Sequence, residues 1–260
     1  MIKKNIIIKE KVNGLMYLYI NRPEFKNALD LITIIDIKKN LQALKLDKKV
    51  RGLVITGCED TFSSGADLKW MKDSKELNFL ENKKQALEFA DMLKEIDEFP
   101  KPVISLVNGH AYGGSLGIIA TSDYSVSVKN AKFSFSEVKL GIIPAMIGPY
   151  IIRSIGYKNS KKLFLTGEVF NSEVAKKINL IDECLDPEDV YNYIKVLFAK
   201  LIKGAPIAQG KIKKFLNDIK SKNIDEKLID FTADTISDIR VSREGQEGLN
   251  AFLEKRKPKW

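Results

Sequence analysis

Two short β-type runs open the chain, Asn5 to Glu10 and Leu15 to Ile20, ahead of the turn-like Asn21-Arg22-Pro23. Ile34, Ile37, Leu41 and Leu44 then recur at 3-4-3 spacing, which places them on one face of a helix. The continuous apolar run Leu53-Val54-Ile55, closed by Gly57, predicts a buried strand, and a Gly/Ser-rich turn follows it. Phe89, Leu93 and Ile96 mark a second helix. Pro100 and Pro102 stop it, and Val103 to Val107 predicts another strand. The unit then returns as a glycine turn at Gly113-Gly114, a short helix and a strand from Tyr124 to Val128. Strands alternating with helices indicate an α/β architecture. Asp186-Pro187 predicts a helix start, with Asp as cap and Pro at the first helical position. From Pro206 onward only helical patterns remain, among them Ile212, Phe215, Leu216 and Ile219. No tandem repeat, low-complexity stretch or linker divides the chain.

Composition narrows this picture. The 260 residues suffice for a large core in one continuous α/β unit. Roughly eighteen apolar residues in a row would be needed for a spanning helix, and no such run occurs. The opening stretch from Met1 to Ile8 is too short in apolar residues for a signal peptide, so a cytoplasmic protein is expected. Cys58 and Cys184 stand far apart with only His110 as an imidazole, so neither a disulfide nor a zinc site is expected. Lys and Arg number 43 against 34 acidic residues, a formal charge of +9. A basic balance invites nucleic acid. Here, however, acids interleave throughout and no basic tail exists, so a lysine-rich solvated surface is the reading adopted, with nucleic acid outside the expected partners. Some of those lysines suit an anionic small molecule.

Three segments carry candidate chemistry. Thr61-Phe62-Ser63-Ser64-Gly65-Ala66-Asp67-Leu68-Lys69 follows one buried strand, and Asn108-Gly109-His110-Ala111-Tyr112-Gly113-Gly114-Ser115-Leu116-Gly117 follows another and opens a helix. Open α/β sheets build their sites at the carboxyl ends of strands. Small residues there let a ligand approach the backbone, and a helix start adds free N–H groups. Two such turns converging would aim two donors at one oxygen that gains negative charge. Taken alone, a Gly-Gly after a strand is more often a simple tight turn. No G-x-G-x-x-G or Walker-type sequence is present to support a nucleotide reading.

The third segment, Phe133-Ser134-Phe135-Ser136-Glu137-Val138-Lys139-Leu140-Gly141-Ile142-Ile143-Pro144, sets Glu137 among apolar and small residues. Desolvation there would raise its pKa and suit it to proton transfer. Composition alone favours a plainer reading, a partly buried glutamate salt-bridged to a nearby lysine.

In this order and spacing, the three segments resemble the crotonase (enoyl-CoA hydratase/isomerase) superfamily, from Asn21-Arg22-Pro23 to Ala251-Phe252-Leu253-Glu254-Lys255-Arg256. The resemblance implies a spiral of ββα units over residues 1–200 that carries the active site. It implies a helical trimerisation module over 201–260, with homotrimers or hexamers as the assembly. It casts Ala66 and Gly114 as the backbone donors to a thioester oxygen and Glu137 as the catalytic carboxylate, with Pro144 completing the loop around it. Phe25, Lys26, Ser64, Leu68 and Lys69 match positions along coenzyme A, and Phe252 and Lys255 match residues that reach the coenzyme A of a neighbouring subunit. No cofactor is implied beyond the coenzyme A of the substrate, and no metal.

One departure stands out: glycine occupies position 117, where two-glutamate hydratases carry their second carboxylate. Either Glu137 does all the acid–base work, another side chain substitutes, or the enzyme is not a simple hydratase. The run from Gly141 to Arg153 resembles bacterial methylglutaconyl-CoA hydratases and related branched-chain members. The resemblance therefore implies reversible hydration of a 2-enoyl-CoA. Δ3,Δ2-enoyl-CoA isomerisation through one glutamate is its rival, and a non-catalytic protein binding acyl-CoA or RNA is a third reading. His110 is taken as structural, Asp67 as a helix start, Asp123 as a turn tie and Cys58 as a strand-end core residue.

Overall fold

The computed structural model describes residues 4–260; Met1 to Lys3 of the opening run lie outside them. It divides into two compact units, one running to Val196 and the other starting at Leu197.

Among the described residues, the first unit contains ten strands and most of the helices. Strands β1 (Ile6–Val12), β2 (Leu15–Ile20), β3 (Gly52–Gly57), β5 (Val103–Val107), β7 (Tyr124–Val128) and β10 (Glu183–Leu185) form a six-stranded sheet in the order β1-β2-β3-β5-β7-β10. Only β1 and β2 pair antiparallel; every other pair is parallel. Parallel strands covered on both faces are apolar without alternation, and β3 and β5 are buried at every position. Helices α1 (Leu31–Leu46) and α3 (Phe79–Asp97) pack on each other, with α2 (Leu68–Asp73) between them in sequence. The predicted stripes face inward: Ile34, Ile37, Leu41 and Leu44 in α1, and Phe89, Leu93 and Ile96, joined by Met92, in α3. Asp30 caps α1 by accepting the Thr33 N–H at 2.8 Å, and Asn78 and Glu81 form a capping box on α3.

A second, four-stranded sheet joins β4 (Thr61–Ser63), β6 (His110–Tyr112), β8 (Lys132–Ser134) and β9 (Phe170–Asn171), with β4, β6 and β8 parallel. Each repeat thus sends its first strand to the large sheet and its second to the small one before a helix closes it. The closing helices are α3, α4 (Ser115–Thr121) and α5 (Gly148–Thr166). This is the ββα spiral implied by the resemblance.

Helix α6 (Ser172–Lys177) and β10 lead to α7 (Val190–Leu201). The helix expected from Asp186-Pro187 begins only at Val190, because the Asp186 carboxylate is engaged by Lys129 Nζ at 2.6 Å and residues 187–189 form a turn. Asp123 accepts the Val103 N–H at 2.7 Å and so fixes the start of β5. Cys58 is half-buried just beyond β3, where its N–H bonds Ile20, and is not a core residue as expected. Among the described residues no helix is long and apolar enough to cross a membrane.

The second unit is helical. Helices α8 (Pro206–Ile219), α9 (Glu226–Val241) and α10 (Arg243–Leu253) are tied by stacking of Phe215 on Phe231 and by the Glu244 carboxylate, which accepts the N–H groups of Ile207 and Ala208 at the start of α8. Neither α8 nor α9 fully buries a residue, and Ile212, Leu216, Ile229 and Ile236 stay at least half exposed.

Candidate active site

Register in the small sheet assembles the site. Ser63 of β4 pairs with Ala111 of β6, and Ala111 pairs with Phe133 of β8. Ala66 lies three positions past Ser63, Gly114 three past Ala111, and Glu137 four past Phe133. The three predicted residues therefore leave the carboxyl ends of three adjacent parallel strands. They line one cleft of 1220 Å³ together with Phe25, Ser64, Leu68 and Lys69.

The Ala66 segment is held open by its neighbours. Leu29 donates its N–H to Gly65 at 2.8 Å and accepts from Asp67 at 2.9 Å. In this parallel bridge the N–H and C=O of Ala66 face away from Leu29. Gly65 must be glycine: its φ is +91°, and a Cβ there would lie 2.6 Å from the Tyr112 carbonyl oxygen. Asp67 caps α2 through the N–H groups of Lys69 and Trp70 at 2.9 and 3.2 Å. Burial acts to raise its pKa, but those bonds and the Arg22 guanidinium hold the carboxyl below the usual range.

Arg22 is the anchor that the sequence showed only as part of a turn. Its Nη2 lies 3.0 Å from Asp67 and 3.1 Å from Asp30, its Nη1 donates to the Ala28 carbonyl at 2.6 Å, and its guanidinium covers the Phe25 ring. Asn27, fully buried, donates to the Cys58 and Thr61 carbonyls at 2.8 and 2.7 Å, tying the same turn to β4. Removing one partner of a buried ion pair typically costs about 3–5 kcal/mol. Arg22→Ala is therefore expected to lower Tm by roughly 10 °C in calorimetry, and Arg22→Lys, which cannot reproduce the fork, to recover only part of that.

The second turn joins the third segment directly. Gly113 donates its N–H to Ser134 at 2.9 Å, and its φ is +52°. A Cβ on Gly113 would stand 3.3 Å from Glu137 Oε1, so bare backbone is what lets the carboxylate lie against this turn. Gly114 caps α4, and a Cβ there would meet the Phe89 ring at 3.1 Å. Ala66 and Gly114 are both half-exposed, and neither N–H finds an acceptor among the described residues.

Glu137 sits in a 3-10 turn, Ser136–Leu140, at 9% exposure. Its Oε2 is buried without a hydrogen-bond partner, and among the described residues no cation pairs with it. The lysine salt bridge that composition favoured is thus absent: Lys139, on the same turn, leaves the carboxyl alone. Burial pushes the Glu137 pKa up, opposed only by its own backbone N–H.

Position 117 is closed to a second carboxylate. A Cβ on Gly117 would lie 2.5 Å from Ile147 Cγ2 and 3.1 Å from both Leu93 methyls. Lys26 lines a separate pocket of 350 Å³ with His110 and Cys58, beyond the main cleft. His110 accepts the Lys132 N–H at 3.1 Å, as a structural histidine does. Phe252, 82% exposed, and Lys255 belong to the second unit. Sequence reasoning missed Arg22, Asn27 and the Trp70–Gln85 hydrogen bond on the cleft wall. The one available signal was a polar residue inside an otherwise apolar or turn-forming stretch.

The chain matches the family described as Enoyl-CoA hydratase/isomerase over residues 10–260. It is 33% identical over 253 residues to the crotonyl-CoA hydratase of Syntrophomonas wolfei, covering 96% of each chain. It is 30% identical to the short-chain-enoyl-CoA hydratase of Clostridium acetobutylicum, covering 97% of this chain and 96% of the relative. The crystal structure of an enoyl-CoA hydratase from Shewanella pealeana superposes with a TM-score of 0.95 at 35% identity, over 99% of this chain and 96% of that one.

Proposed function

We propose that this chain, which belongs to the enoyl-CoA hydratase/isomerase family, catalyses the reversible addition of water to a 2-enoyl-CoA thioester. One observation carries the reading. A buried, unpartnered carboxylate oxygen of Glu137 shares a cleft with the two unpartnered N–H groups of Ala66 and Gly114.

The chemistry follows from that placement. The thioester oxygen accepts hydrogen bonds from Ala66 and Gly114, so the negative charge that develops there is stabilised. Glu137 takes a proton from water as the water oxygen bonds to Cβ, and the π electrons move through Cα to give the enolate. Glu137 then returns that proton to Cα, and the thioester carbonyl re-forms. One carboxylate handles both transfers, because position 117 offers no second one. Water, two N–H donors and a carboxylate balance the reaction, so coenzyme A enters only as part of the substrate. Phe25, Ser64, Leu68 and Lys69 supply the cleft margin for its pantetheine and phosphates, with Lys26 on the adjoining pocket.

The Gly141–Arg153 run extends the reading to a branched or carboxylated acyl group such as methylglutaconyl-CoA. The half-exposed apolar residues of α8 and α9 are what a homotrimer or hexamer would bury. In such an assembly Phe252 and Lys255 would take the role the resemblance implies for them, reaching a neighbour's coenzyme A.

The test is mass spectrometry of 2- and 3-enoyl-CoAs, methylglutaconyl-CoA included, incubated with the protein in D2O. Gain of one water is expected. Double-bond movement with deuterium exchange and no added water would establish the isomerase, which the closed position 117 also suits. No turnover, with salt-sensitive RNA binding instead, would leave a binding protein.

A further inference from the structure

We propose that Trp70 and Gln85 form a specificity site that selects acyl chains carrying a hydrogen-bond acceptor oxygen about five carbons from the thioester. The proposal rests on reading the cleft as an acyl-CoA site and names the acyl group it takes.

Trp70 Nε1 donates to Gln85 Oε1 at 2.6 Å, and both side chains line the cleft. An indole N–H can only donate, whereas an amide offers one acceptor oxygen and two N–H donors. The bond therefore fixes which way the amide faces. Its oxygen is taken by Trp70, and its Nε2 hydrogens are left for something else. Among the described residues nothing accepts them. The same cleft is lined by apolar Met71, Ala86, Phe89 and Ile147 and by polar Ser74 and Asn82. The half-buried amide therefore presents its donors, already oriented by Trp70, to whatever acceptor oxygen a ligand brings into the cleft in place of water.

Position sets the reach. Phe89 touches the Gly114 turn, as the 3.1 Å approach to a Cβ built there shows. Gln85 stands one helical turn before Phe89 in α3, on the same face and about 5–6 Å further along. The wall is also held in advance of binding. Asn82 donates to the carbonyls of Ser74, Leu77 and Asn78, bracing the connection from α2 to α3.

The test is calorimetric titration with three saturated thioesters of one backbone length: hexanoyl-CoA, 5-oxohexanoyl-CoA and adipyl-CoA. The protein should bind an acceptor-bearing thioester about tenfold more tightly than hexanoyl-CoA. Preference for 5-oxohexanoyl-CoA identifies a neutral carbonyl as the acceptor, and preference for adipyl-CoA alone a carboxylate. Gln85→Glu keeps the size and the Trp70 bond but turns donors into acceptors, so the preference should vanish or invert. Gln85→Leu should abolish it without inversion. Because each readout is a ratio measured on one sample, loss of folded protein cancels. Wild-type protein that binds hexanoyl-CoA as tightly as the others, or a Gln85→Glu variant that keeps the ratio, overturns the proposal. Binding of none of the three overturns the acyl-CoA reading itself. A preference found without enoyl-CoA turnover overturns hydration and leaves the specificity site standing.

Discussion

Glu137→Gln is expected to lower hydration of the preferred enoyl-CoA by 10²–10⁴-fold in kcat, the range that general acid–base groups contribute. The amide is nearly isosteric, so the turn at Gly113 should keep its geometry, and KM should move far less than kcat. An activity within a few-fold of wild type would remove Glu137 from the mechanism. The same variant makes a second, opposite demand on stability. Burial raises the folded-state pKa of Glu137 above its unfolded value, so folding favours the protonated form. The destabilisation is absent below the unfolded pKa of about 4.5 and grows as pH rises through the folded pKa. Glutamine removes a buried charge that has no partner. Glu137→Gln should therefore raise Tm at pH 8 while changing it little at pH 4, by the few degrees that roughly 1–3 kcal/mol would give. A gain in stability accompanying a loss of rate is the signature of a group held for chemistry. The wild-type pH profile of kcat/KM for hydration should show an acid limb above the ordinary carboxylate range, lost in the variant.

Gly117→Glu, which would restore the second carboxylate of two-glutamate hydratases, is expected to cost stability and return no rate. The first atom of any side chain would stand 2.5 Å from Ile147 Cγ2, inside the repulsive wall. Overpacking of that kind costs about 1–3 kcal/mol, and a buried carboxyl without a partner adds several more. Soluble yield and Tm should both fall, the latter by roughly 10–20 °C. Gly117→Ala separates the two causes, since it adds the Cβ alone. Pairing it with Ile147→Ala removes the obstructing methyl, and the double variant should be less destabilised than the sum of the singles. A Gly117→Glu protein with unchanged Tm would mean that the space is open and that the single-carboxylate mechanism was not imposed by packing.

Much of the frame was legible from the chain itself. β2, β5 and β7 begin and end where the apolar runs predict, and the stripes on α1 and α3 are the buried ones. The helix predicted from Asp186-Pro187 starts three residues late, at Val190, because a cap signal is local and the Lys129 pairing that draws the Asp186 carboxylate away is not. β4, β6 and β8 were missed for a related reason. Three residues carry too little periodicity to announce a strand, and these three exist because they pair with one another.

The sequence by itself determined the alternation of strand and helix, the helical character of the last segment and the identity of the residues able to do chemistry. Side-chain period and turn chemistry are properties of neighbours along the chain, and these features follow from them. The tertiary structure alone decided that Ala66, Gly114 and Glu137 leave adjacent strands into one cleft. It also decided that Glu137 lacks a cation, that Ile147 and Leu93 close position 117, and that Trp70 turns the Gln85 amide. Each of these is a contact or a desolvation between residues distant in sequence, fixed only when strand register and helix packing bring them together.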